Sequence, residues 1–114
     1  MIPVDIVVCK HRHWIEWLAK EYNATLEYNE AGWPIRMTKG EQSIVCGAWS
    51  DKTDIVGKRV FGAIPYSYAI HCKSIQFLEF TVNSDRMPAN IRELKIAGAK
   101  LSRPYIVRFE DGTQ

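Results

Sequence analysis

The alternation of apolar and polar positions begins as a short β pattern and passes directly into a helical one. Val4 to Cys9 is rich in β-branched residues with Asp5 as its one charge, the composition of a strand buried on both faces, as in a parallel sheet. Trp14, Ile15, Trp17, Leu18 and Tyr22 then recur at helical spacing, with Glu16, Lys20 and Glu21 on the other side, which predicts a helix from about His13 to Tyr22. Asn23 ends it, and Ala24 to Tyr28 forms a second short strand. From Asn29 to Gly57, glycines and Pro34 break the pattern into short pieces. Ile35–Thr38 and Ser43–Ala48 pair as a hairpin around Lys39-Gly40-Glu41-Gln42, and residues 29–57 read as a peripheral insertion.

Beyond it, Arg59 to Ile64 is a strand ending at Pro65, and Tyr66 to Lys73 a short helix carrying His71 and Cys72. Gln76 to Val82 reads as one central strand. Pro88 opens a helix whose apolar side is Ile91, Leu94 and Ile96-Ala97, with Gly98 as terminator. Tyr105 to Phe109 is a last strand. This order predicts an α/β layered fold with a mostly parallel central sheet, whose ligands sit beyond the carboxyl ends of the strands.

Composition narrows the options. A chain of 114 residues supports one domain spanning 1–114. Its net charge of +2 is too small to imply duplex DNA as a partner. No apolar run approaches the about 18 residues of a membrane span, and no leader pattern opens the chain, so the expected location is cytoplasmic. Cys9, Cys46 and Cys72 lack the spacing of a disulfide framework or a zinc pair and read as buried thiols.

Candidate chemistry gathers where the first strand becomes the first helix. Lys10, His11, Arg12 and His13 stand at a helix start, where unpaired N–H groups favour an anion. Lys10 or Arg12 suits a phosphate, and a histidine with an ordinary pKa of about 6.5 moves protons at neutral pH. The same four residues also read as a solvated basic corner. Cys9, His11 and His13 alternate in a way that brings a metal to mind, but a fourth ligand is missing and a helix starts inside the trio; neither metal nor cofactor is expected. Trp14 and Trp17 read as core, whereas Trp33 and Trp49 could form an exposed patch for a protein partner. Gly62, which allows a close backbone approach, and Ser67, a cap or phosphate donor, mark a second strand-to-helix turn. Arg86 and Arg92 mark a third region that could reach an anion.

These residues resemble the Csx-sixteen family of small proteins associated with type III CRISPR systems. Its pattern Thr-Arg-His-Pro-Gly-Ala-Ile-Glu-Trp aligns with Cys9 to Trp17, matching at His11, Ile15, Glu16 and Trp17. Its Val-Ile-Gly-Thr-Leu-Pro resembles Val60 to Pro65, and its Arg-Gly-x-Glu-Leu and Gly-Ala-x-Leu resemble Ile91 to Leu94 and Gly98 to Leu101. Lys10 stands where the family has arginine, Arg12-His13 where it has Pro-Gly, and Ala63 where it has threonine. The resemblance implies a CARF-like (Rossmann-like) domain, a homodimer, and a metal-independent ring nuclease that opens cyclic oligoadenylate, cyclic tetra-adenylate first, to switch off signalling. His11 would then transfer the proton and Lys10 with the helix-start N–H groups would hold the phosphate. Arg12, His13, Gly62, Ser67, Arg86 and Arg92 would complete the ligand pocket. The altered corner leaves an alternative open: a non-catalytic sensor or sponge for the same nucleotide, of cellular or viral origin.

Overall fold

A computed structural model describes residues 1–47, 54–62, 64–80 and 90–108. Arg86, Trp49, Pro88 and Ala63 lie outside them. The chain runs β1 (Ile6–Val8), α1 (Arg12–Glu21), β2 (Thr25–Tyr28), β3 (Pro34–Lys39), β4 (Gln42–Gly47), β5 (Arg59–Gly62), α2 (Tyr66–Ala69), β6 (Ser74–Gln76), β7 (Leu78–Glu79), α3 (Ile91–Ile96) and β8 (Lys100–Leu101). Among the described residues no helix is long and apolar enough to cross a membrane.

Six strands form one sheet in the order β2-β3-β4-β1-β5-β6. β1 is parallel to both its neighbours, β4 and β5, and β6 is parallel to β5, whereas β2, β3 and β4 are joined antiparallel. The fold is therefore mixed α/β with a mixed sheet, parallel at three of its five pairings around β1 and antiparallel across β2, β3 and β4. Side chains of β1 alternate between two apolar clusters. Val7 and Cys9 join Ile15, Trp17 and Leu18 of α1 and Leu94 of α3; Ile6 and Val8 join Ile55, Val60, Ala69 of α2 and Ile75. Period-two alternation sends these sets to opposite faces, which explains why β1 is apolar throughout.

The hairpin forms, but it is not peripheral. β4 lies directly beside β1, Met37 and Ile44 are fully buried, and the Gln42 side chain bonds both the N–H and the carbonyl of Ile2. Residues in 29–57 thus supply two of the six strands and part of the core.

α1 starts at Arg12 and ends as its sequence predicts. Asn23 adopts φ 53°, its N–H reaches the Lys20 carbonyl, and the Ala24 N–H reaches that of Ala19, a left-handed helix stop. Gly98 stops α3 in the same way, through Gly98 to Lys95 and Ala99 to Leu94.

Three readings of the C-terminal half need correction. α2 spans only Tyr66–Ala69, so His71 and Cys72 follow the helix rather than sit in it. The stretch read as one central strand from Gln76 splits at Phe77. There the N–H and carbonyl are taken by Ser102, through its hydroxyl at 3.0 Å and its N–H at 2.8 Å, so β6 ends at the sheet margin and β7 turns away to pair with β8. Of the predicted last strand, the described residues 105–108 show an antiparallel bridge between Tyr105 and Ile75, and Phe109 lies outside them.

Candidate functional site

The carboxyl ends of three adjoining parallel strands meet at one level, with Val8 of β1 level with Gly47 of β4 and Gly62 of β5. Both glycines have positive φ, 124° and 129°. A Cβ on Gly62 would stand 1.7 Å from the Val8 carbonyl oxygen, so β5 comes this close to β1 only with glycine there. The close approach that Gly62 permits is thus between backbones of the sheet.

Between β1 and α1 lie Cys9, Lys10 and His11, a turn pinned from inside. The Cys9 thiol accepts from the His11 N–H at 3.4 Å and donates to the His11 carbonyl at 3.6 Å. Burial pushes the Cys9 thiol above its ordinary pKa, so at neutral pH it is a protonated structural group. His11 occupies the N-cap of α1, yet its side chain does not cap the helix. The first N–H groups of the ten-residue helix therefore lack a side-chain acceptor, and the exposed Lys10 and His11 side chains stand beside them.

The other two basic residues of the corner are committed elsewhere. Arg12 Nε lies 3.6 Å from Glu16 Oε1, and its guanidinium carbon lies 5.9 Å from the centre of the Tyr28 ring. Tyr28 in turn donates its hydroxyl to Glu16 Oε2 at 3.1 Å. The His13 ring is partly buried, with Nε2 enclosed and without a hydrogen-bond partner. Among the described residues no group of three or more His, Cys, Asp or Glu side chains is placed to hold a metal ion.

Two clefts flank the corner. A cleft of about 440 Å³ is lined by Arg12, His13 and Glu16 of α1 and by Asn90, Ile91 and Arg92. An apolar pocket of about 430 Å³ is walled chiefly by Trp14, Gly62, Ile64, Phe77, Tyr105 and Val107. The His11 ring lies against one wall residue of each, its centre 5.7 Å from that of His13 and 5.2 Å from that of Trp14. The structure therefore gathers Lys10, His11, Arg12, His13 and Arg92 around one helix start. Ser67 is exposed on α2 and lines neither cleft.

The pocket's aromatic wall was not legible from local pattern. Trp14 has the helical spacing of a core residue, but it is only partly buried and lies along the pocket. Phe77 and Tyr105 stack at 5.3 Å with an 11° tilt, although 28 positions separate them. Trp33, half of the suggested exposed patch, is partly buried, close to where a side chain on Gly47 would point.

Comparison of the chain with known protein families, with curated proteins and with solved structures finds no match.

Proposed function

We propose that this chain binds cyclic oligoadenylate and opens it by metal-independent phosphodiester cleavage, as a homodimer with a CARF-like domain. The observation that carries the reading is the Lys10-His11 turn, exposed at an uncapped helix start and bordered by an aromatic pocket. Its residue order resembles that of the Csx-sixteen family.

RNA cleavage of this kind uses the substrate's own nucleophile. The ribose 2′-OH attacks the adjacent phosphorus in line, the bond to the 5′-oxygen breaks, and a 2′,3′-cyclic phosphate and a 5′-OH result. The enzyme must align the ribose, remove the 2′ proton, return a proton to the departing oxygen and stabilise the negative phosphorane. Lys10 and the helix-start N–H groups suit the phosphorane charge. His11 suits proton transfer. A two-fold dimer presents the set twice to a ring that itself has rotational symmetry, and so encloses more nucleotide than one small chain can.

The test is incubation of the protein with labelled cyclic tri-, tetra- and hexa-adenylate in EDTA. Linear products ending in a 2′,3′-cyclic phosphate are expected, fastest with cyclic tetra-adenylate, and His11→Ala should slow the reaction about a hundredfold or more. Wild-type inactivity on every ring, with or without divalent metal, refutes the enzyme.

One observation favours the binding-only alternative. His13 Nε2 is enclosed, so the corner offers one exposed imidazole to a reaction that moves two protons. Intact ring recovered from a tight complex would make the protein a sensor or sponge.

A further inference from the structure

We infer that the pocket walled by Trp14, Phe77 and Tyr105 is the purine subsite, taking one adenine base edge-first while its ribose and phosphate pass over Trp14 to the Lys10-His11 turn. The choice of adenine as occupant rests on the function proposed above; the pocket's preference for a flat heteroaromatic ring rests on its walls.

Two observations support that preference. The volume of about 430 Å³ falls in the range of small-molecule sites, and the wall is built from aromatic and branched apolar side chains. Phe77 and Tyr105 are already stacked on each other, and the Arg103 guanidinium carbon lies 5.0 Å from the centre of the Tyr105 ring. Phe77 and Arg103 already lie against Tyr105, so what the pair offers a base is its ring edges and the outer face of Phe77.

The pocket's position links it to the corner. Trp14 stands one helical turn after His11, ring centre to ring centre 5.2 Å, and Gly62 puts the end of β5 into the same wall. Base and phosphate would thus be read by groups three residues apart on one helix start. Such a site orders the ribose between them.

The decisive measurement follows the Trp14 indole N–H resonance, assigned by its loss in Trp14→Phe, during titration of the full chain. Adenosine monophosphate and cyclic tetra-adenylate are expected to shift it, and ribose 5-phosphate to leave it in place. Val107→Phe, which adds a ring to the pocket wall, should weaken cyclic tetra-adenylate binding at least about fivefold, as should Phe77→Leu, which keeps an apolar group but removes the aromatic ring. An unshifted indole signal with saturating cyclic tetra-adenylate, or wild-type affinity in a folded Val107→Phe, overturns the subsite while leaving the nuclease reading intact. Conversely, adenosine monophosphate bound at Trp14 by a chain that leaves every ring uncut upholds the subsite and refutes the nuclease.

Discussion

Replacing Gly62 by alanine tests whether this position serves the sheet or the ligand. The new Cβ would sit 1.7 Å from the Val8 carbonyl oxygen and 2.6 Å from its carbon, so β5 must move away from β1 along a fully buried ladder. The backbone at φ 129° is itself costly for any side chain, on the order of 1–3 kcal/mol. Forced repacking of a close-packed interior adds about 1–3 kcal/mol. The sum, roughly 2–6 kcal/mol, is a large share of the about 5–15 kcal/mol that holds a domain of this size together. Gly57→Ala is the matched control. Gly57 also has positive φ, 70°, but a Cβ there meets nothing within 4 Å, so only the left-handed penalty of about 1–2 kcal/mol applies. Urea unfolding followed by tryptophan fluorescence should place Gly62→Ala about 1–4 kcal/mol below Gly57→Ala. Equal stability of the two variants refutes the steric argument. A stable Gly62→Ala that no longer binds nucleotide would return the glycine to the ligand.

Two further outcomes follow from the titrating groups. Burial pushes the Cys46 thiol up to about 12 and raises Cys9 as well, so at pH 8 iodoacetamide should label neither in the native protein and both in urea; labelling of native Cys46 at the unfolded rate contradicts the buried, protonated thiol. Asp5 accepts from the Arg59 side chain at 2.9 and 3.1 Å, and this pairing holds its carboxyl below the ordinary aspartate range. The stabilisation is present above the unfolded-state pKa and is lost as pH falls through it toward the folded value. Both side chains are more than a third exposed, so its size is about 0.2–1 kcal/mol. Asp5→Asn should lower stability by that amount at pH 7 and flatten its fall below about pH 4; an unaltered acid limb argues against the pairing.

Local chemistry carried most of the N-terminal half. The apolar run of β1, the helical spacing of α1 and the left-handed stop at Asn23 are short-range signals, and each element forms within a residue or two of where the pattern puts it. What was not legible is pairing at long range. Nothing around Gln42 to Gly47 announces that this strand lies parallel to β1, because its partner is some 39 positions away and the choice is made by burial of Ile44 and Cys46. The break at Phe77 has the same origin: the residue that takes both of its backbone groups is Ser102, and an apolar Phe77 gives no sign of it. The site divides along the same line. Its cationic half is contiguous and readable at Lys10 to His13, while its aromatic half joins Trp14, Phe77 and Tyr105 from three parts of the chain.

The corner's geometry also explains why two of its four basic residues are poor candidates for the reaction. Arg12 sits on the side of α1 that faces β2, where Glu16 and Tyr28 hold it, and releasing it for a phosphate would leave Glu16 without its cation. His13 lines the cleft toward Arg92 with one nitrogen enclosed. Lys10 and His11 are different because the backbone beneath them is held by Cys9 through two weak sulfur bonds, not by their own side chains. A turn fixed in this way keeps its position without using the hydrogen-bonding groups of either side chain, which reduces the ordering cost of binding. Cys9 is therefore a positioning residue: alanine in its place should loosen the turn and weaken nucleotide binding with Lys10 and His11 unchanged, and serine, whose shorter hydroxyl can still bond the His11 N–H, should restore part of it. Equal binding by wild type, Cys9→Ala and Cys9→Ser would show that the turn needs no such support.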